Sequence, residues 1–176
     1  MSSATTLLER NRRFASDFAS PDLPILPKLR TVILTCGDAR VDPAHVLGLE
    51  LGDAVVIRNN GGRVTPAVVE EIAALTFMVA QMEGGEPGPF ELVLMQHTQC
   101  GAERLTDPNL QSALKKKTGI DVSSVAITDH DLSLHEDVER LRNAPEIPGY
   151  IMVSGFIYDV QHGHVREIIA PTPLTP

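Results

Sequence analysis

Residues 31–40 read TVILTCGDAR. The first six form a short apolar, β-branched run, the mark of a strand buried on both faces. The strand ends on Cys36 and turns at once into a glycine, a carboxylate and a guanidinium. The same rhythm recurs downstream. Residues 53–58, 90–96 and 149–158 are further apolar runs of strand length, and 165–170 follow the last of these across a turn that contains Gly163. Helical stretches lie between them. Asp42-Pro43 and Thr65-Pro66 each pair an N-capping side chain with proline at the first helical position. The second opens a periodic segment over 66–83 that Gly84 and Gly85 stop. Residues 108–118 read as helix, and Ser133 with Glu136 match a capping box that predicts a helix over about 133–143. Residues 122–127 fit either a strand or a loop.

Strands alternating with helices predict an α/β fold: a mostly parallel central sheet with flanking helices and right-handed crossovers. The closing turn predicts an antiparallel C-terminal edge strand. Upstream, residues 5–19 carry Leu7, Leu8, Phe14 and Phe18 among charges, a weakly amphipathic helix extended from the rest. Residues 20–28 contain three prolines and read as a connector. With 176 residues and no repeat or linker, the expectation is one domain over 1–176, of which 1–28 form an N-terminal helix and arm.

Hydrophobic residues make up 43% and charged residues 22%, an ordinary globular balance. The net charge of −8 argues against nucleic acid as a main partner, since phosphate binding needs a basic face. Lys115-Lys116-Lys117 is too short a run to reverse that and reads as a solvated helix end. The opening residues lack a secretory signal pattern, and no apolar stretch approaches membrane-spanning length, so the expected setting is cytoplasmic.

Two cysteines are present, Cys36 and Cys100. An oxidising compartment would invite a disulfide; in a reducing one, paired cysteines more often serve metal or catalysis. The second cysteine lies in His97-Thr98-Gln99-Cys100-Gly101. Two thiolates and an imidazole suit zinc, and three protein ligands leave a fourth position open, as catalytic sites do. Ligands in open α/β sheets bind beyond the carboxyl ends of strands where strand order reverses. Cys36 ends the first strand and His97 follows the third, so adjacency of those strands would bring all three residues into one crevice. Gly37 and Gly101 are expected to allow close backbone approach or unusual dihedrals. Asp38 either occupies the fourth position or accepts a hydrogen bond from water there, and Arg40 can pair with it and keep it turned away.

The combination of Cys36-x-Asp38-x-Arg40 with His97-x-x-Cys100-Gly101 resembles the β-carbonic anhydrases. Arg58-Asn59-Asn60-Gly61-Gly62, the following helix, and Val153-Ser154-Gly155 through Tyr158-Asp159-Val160 are also similar to that family, so the likeness covers most of the chain. Ala39 stands where many members have serine. The resemblance implies a zinc enzyme, a lyase that converts carbon dioxide reversibly to bicarbonate and a proton by way of zinc-bound hydroxide. It implies Cys36, His97 and Cys100 as ligands of one Zn2+ per chain, with Asp38 and Arg40 as the catalytic dyad. It further implies a homodimer or higher homo-oligomer, the N-terminal helix reaching over the partner, and a small-molecule substrate, CO2 or bicarbonate; charge and hydropathy, as above, leave no nucleic acid and no membrane among the expected partners. Val41, Val64 and Leu105 are candidates for an apolar pocket wall.

Two other functions fit the same residues. Carbonyl sulfide and carbon disulfide are linear analogues of CO2, so hydrolysis of either is an alternative on this fold. A non-catalytic zinc protein, with Asp38 as fourth ligand, is another. The remaining histidines read blandly: His45 as packing or surface, His130 and His135 as helix-start solvation beside Asp129 and Asp131, and His162 and His164 as turn residues. The loop Asn59 to Gly62 lacks the lysine and spacing of a phosphate loop and reads as a tight turn.

Overall fold

The computed structural model describes residues 2–85 and 88–175. Its sheet contains β1 (Thr31–Cys36), β2 (Val55–Asn59), β3 (Glu91–His97), β4 (Met152–Tyr158) and β5 (Val165–Pro173), in the order β2-β1-β3-β4-β5. All neighbours are parallel except β4 and β5, which pair antiparallel through the turn at Gly163. The mostly parallel sheet and its antiparallel C-terminal edge are as the alternation of patterns predicts. Every residue of β1 is buried, and so are six of the seven in β3, as central parallel strands require.

The chain leaves β1 to form β2 on one side and returns to form β3 on the other, so strand order reverses between β1 and β3. Their carboxyl ends carry Cys36 and His97. The adjacency that would make these residues useful together is therefore present.

Among the described residues, five α-helices accompany the sheet: α1 (Ser3–Ser16), α2 (Pro43–Val46), α3 (Pro66–Met82), α4 (Pro108–Thr118) and α5 (His130–Arg142). Asp42 and Thr65 cap α2 and α3 by accepting from Ala44 N–H and Val68 N–H, with proline at the first turn of each, as read from sequence. Val68, Ile72 and Val79 of α3 and Leu134, Val138 and Leu141 of α5 join Val32, Leu34, Leu92, Leu94 and Val153 of the sheet in one core. Helix α1 stands apart from it, with no buried residue among the 14 it contains. No helix of the described residues is long and apolar enough to cross a membrane.

The start of α5 differs from the sequence reading. Asp129 is the cap, accepting from Leu132 N–H at 2.8 Å, and Ser133 and Glu136 lie inside the helix. A spacing of three places residues on one helical face as readily as in a capping box. Here that face meets Arg63, whose guanidinium donates to Ser133 Oγ at 3.3 Å and to Glu136 Oε2 at 3.0 Å. The ambiguous stretch 122–127 contains a 3-10 turn at Ser123–Val125 and no strand.

Candidate metal centre

Cys36 is delivered by the last position of β1 and His97 by the last position of β3. The tight loop after β3 carries Cys100 back toward both. The ligand atoms of these three buried residues all lie within 4.8 Å of one another. The sulfurs are 3.8 Å apart. Two thiolates on one tetrahedral zinc, with bonds of about 2.3 Å, would sit roughly 3.8 Å apart. The spacing thus suits a shared ion, and both cysteines are free.

His97 is prepared in the same sense. Its Nδ1 lies 3.0 Å from the carbonyl oxygen of Thr98, which only accepts, so Nδ1 carries the proton and Nε2 the lone pair. Nε2 is buried and has no hydrogen-bond partner. A buried acceptor left bare beside two sulfurs is costly unless something else binds it. The donor set fits a soft divalent ion such as zinc.

The sulfurs also act on each other. Hydrogen bonding from the Cys100 thiol holds Cys36 below the ordinary thiol range against the opposing effect of burial, with the neighbouring His97 ring and the backbone N–H groups of Asp38 and Gly61 acting in the same direction. The same contact, together with burial, pushes Cys100 up. Binding a cation to these sulfurs must displace whatever protons they carry.

Asp38 sits at the rim, its Oδ2 4.0 Å from His97 Nε2. Arg40 grips it with two parallel hydrogen bonds, Nε to Oδ1 at 3.0 Å and Nη2 to Oδ2 at 2.7 Å, and its backbone N–H adds a third at 2.9 Å. These bonds hold the carboxyl well below the usual carboxylate range. Arg40 Nη2 also donates to the carbonyl of Gln99 at 3.0 Å. Arg58 braces the dyad from beneath, donating to the carbonyls of Cys36 at 3.0 Å, Asp38 at 2.7 Å and Val41 at 2.9 Å.

A cleft of about 370 Å³ opens over this arrangement, lined by Cys36, Asp38, Gly61, Ala102 and Leu105 among others. Leu105 is thus on the wall as expected. Val41 and Val64 are not among the lining residues; Val41 is fully buried and Val64 faces a separate groove. The two glycines that follow the cysteines also behave differently from the expectation. A Cβ at Gly101 would meet nothing within 4 Å, and one at Gly37 would make only an ordinary 3.7 Å contact. Close approach occurs instead at Gly62, at φ +64°, where a Cβ would press within 3.0 Å of the β1 backbone at Thr35 and Cys36. The unusual dihedral belongs to Gln99, at φ +55°, inside the His-x-x-Cys loop.

Two features escaped the sequence. Arg63, 1% exposed, is buried among Asp137, Glu136, Ser133 and the Ala126 carbonyl. His130 is not simply solvated: its Nδ1 lies 2.9 Å from Gln96 Oε1 and its Nε2 donates to Glu103 Oε1 at 3.0 Å. Glu103 in turn accepts from the Cys100 N–H at 2.8 Å. Burial pushes the Glu103 carboxyl up, but these two donors outweigh it and hold the group below its ordinary value. Nothing in local pattern marks either residue, because both partners are distant in sequence.

A mostly parallel sheet with a buried Cys-His-Cys cluster at its switch point, faced by an aspartate–arginine pair, defines an α/β protein with a centre of metal-binding type. The carbonic anhydrase family model matches residues 31–165. Beta-carbonic anhydrase 1 of Mycobacterium tuberculosis is 31% identical over 163 residues, covering 92% of this chain and 94% of that protein. The crystal structure of carbonic anhydrase from Streptococcus mutans superimposes with a TM-score of 0.79 at 36% identity, over 96% of this chain and 98% of that one. A carbon disulfide hydrolase of Acidithiobacillus thiooxidans is 29% identical over 160 residues, 78% of this chain and 76% of that protein. The chain belongs to the β-class carbonic anhydrase family.

Proposed function

We propose that the protein is a zinc lyase that hydrates carbon dioxide reversibly to bicarbonate and a proton, with one ion per chain held by Cys36, His97 and Cys100. The observation that carries the reading is the convergence of three buried ligands beside a carboxylate that Arg40 keeps turned aside. Bound there, zinc would supply Lewis acidity and make water a nucleophile, with less lowering of that water's pKa than where imidazoles alone hold the ion, because two thiolates donate more charge. The chain's own residues do the rest. His97 fixes its tautomer through Thr98. Asp38, kept ionised, accepts a hydrogen bond from a water in the cleft, orients it and favours loss of its proton. Leu105 and Ala102 offer a small uncharged substrate an apolar wall. A non-catalytic site closed by Asp38 is disfavoured, because closure would have to break both bonds from Arg40.

The deciding experiment is stopped-flow CO2 hydration by zinc-loaded protein in mildly alkaline buffer. Rapid turnover that Cys36→Ser abolishes supports the reading. Stoichiometric zinc without CO2 turnover overturns it. The likeness to a carbon disulfide hydrolase makes carbon disulfide and carbonyl sulfide the substrates to assay next.

The working unit is a homodimer or larger in this reading, and its setting the cytoplasm, where Cys36 and Cys100 stay reduced. A 14-residue helix with no buried residue is marginal alone in water, and α1 exposes Leu7, Leu8 and Phe14. An apolar groove of about 820 Å³, lined by Val64, Pro66, Val69, Val125 and Leu132, lies on the same chain. A second copy's α1 is the occupant we assign to it. Deleting residues 1–16 should then yield monomers in sedimentation; an undisturbed dimer would refute that assignment.

A further inference from the structure

Residues on three separate segments meet at His130. It opens α5, and its imidazole is largely buried, with 17% of the side chain exposed. On one side, Nδ1 lies 2.9 Å from the carboxamide of Gln96, the residue before His97 on β3. On the other, Nε2 donates to Glu103 Oε1 at 3.0 Å. Glu103 belongs to the 3-10 turn Gly101–Thr106, and the same oxygen accepts from the Cys100 backbone N–H. The Cys100 sulfur meanwhile accepts from Ala102 N–H at 3.5 Å. Cys100 thus stands as the N-cap of a capping box whose other member is Glu103.

A cysteine used this way has its rotamer fixed by two bonds, one at its backbone and one at its sulfur. The first depends on where the Glu103 carboxylate sits. That side chain is 43% exposed and rotatable, so its position is set by what grips its end. Among the described residues, the gripping side chain is His130. A neutral histidine offers one N–H and one lone pair at opposite edges of a rigid ring. With Nε2 donating to Glu103, Nδ1 carries the lone pair, and it pairs with Gln96 through the amide N–H, the group otherwise buried without a partner, once the carboxamide is turned end for end. Here those edges span from the strand end that delivers His97 to the turn that holds Cys100. Between them, the loop 98–99 contains Gln99 in the left-handed region, a conformation non-glycine residues keep only when surroundings impose it.

We infer that His130 is a positioning residue for the metal centre, tying the Cys100 turn, through Glu103, to the His97 strand, through Gln96. The inference rests on the reading of Cys36, His97 and Cys100 as ligands. His130 touches neither the ion nor substrate; it sets the distance between two ligands. Partners of metal ligands of this kind commonly change metal affinity by about 10–100-fold when removed.

The test measures Zn2+ and Co2+ dissociation constants by chelator competition, with the absorption of the Co2+-loaded protein as a second readout. His130→Ala should weaken both metals about 10-fold or more and shift the thiolate-to-cobalt band. Glu103→Gln should do likewise, and the double variant should be no weaker than the poorer single one, since both break one connection. His130→Gln places an amide nitrogen near the position of Nε2 and should recover much of the affinity; His130→Asn, too short to reach Glu103, should not. Val138→Ala, which destabilises α5 from within the core, should lower the melting temperature and leave the metal constants unchanged.

Wild-type constants and spectrum in His130→Ala would overturn the inference, as would an equal loss of affinity in Val138→Ala. Failure of the unsubstituted protein to bind either metal would overturn the ligand reading itself, and the inference with it.

Discussion

Arg40 holds Asp38 by two parallel hydrogen bonds and uses the same Nη2 to hold the Gln99 carbonyl at 3.0 Å. One guanidinium therefore fixes both the carboxylate that faces the cleft and the loop that joins two ligands. Only a planar, forked cation can do this. Arg40→Ala should keep zinc but lower turnover by roughly 10²-fold, approaching the loss from removing the carboxylate. Arg40→Lys, which makes a single point contact, should fall between. Metal content by atomic absorption and stopped-flow rates check both; full activity in Arg40→Ala would remove Arg40 from the mechanism.

The pairing also fixes a pH window. Hydrogen bonds from the Arg40 side chain, then its backbone N–H, hold the Asp38 carboxyl below its ordinary value. A carboxyl depressed in the folded state contributes stability that is complete above the unfolded value of about 3.9 and is lost as pH falls further. No change of activity between pH 5 and 8 should then originate at Asp38. Carboxyl carbon NMR of the metal-free protein should show no Asp38 inflection above pH 4. In Arg40→Ala the inflection should return toward about 4. An inflection near the ordinary carboxyl value of about 4 in the unsubstituted protein, as in Arg40→Ala, would mean that the pair is open in solution.

Ligands and dyad should separate cleanly under mutation. His97→Ala and Cys100→Ala remove a donor from a cluster whose atoms lie within 4.8 Å, and should lose zinc and activity together. Asp38→Ala should keep zinc and lose turnover by about 10²–10⁴-fold. Zinc loss on replacing Asp38 would show it to be the fourth ligand, and the site to be closed.

The sequence made these residues visible because each sits beside a strong local signal. Cys36 ends a β-branched run, and His97 and Cys100 share one short loop. That β1 and β3 are neighbours was an inference from chemistry, and the sheet order bears it out. Ser133 and Glu136 misled because a spacing of three serves a helix face and a capping box equally. Asp129 is the true cap. Arg63 and His130 carried no signal, since their partners lie 74 and 34 residues away respectively and only the folded chain brings them together.

Arg63 yields the last prediction. Its side chain is 1% exposed and donates from Nε to Asp137 at 2.8 Å, and Asp137, fully buried, also accepts from Arg140 at 2.8 Å. Burial pushes the Asp137 carboxyl up against the pull of both guanidiniums, and a buried pair of this kind adds little net stability over apolar residues of similar volume. Removing one partner is worse, because it strands the other. Asp137→Ala should cost about 3–5 kcal/mol, a fall in melting temperature of roughly 6–20 °C for a chain of this size. Replacing both, as Arg63→Met with Asp137→Leu, should be near neutral in stability. Yet Arg63 follows Gly61 and Gly62, and Asn59 clamps its backbone through two hydrogen bonds of 2.7 and 3.0 Å. Gly61 lines the cleft. The double variant should therefore melt like the unsubstituted protein and still turn over more slowly, because the loop loses its anchor on α5. A stable double variant with unchanged turnover would mean that Asn59 alone holds the loop, and that the buried charges do nothing for the site.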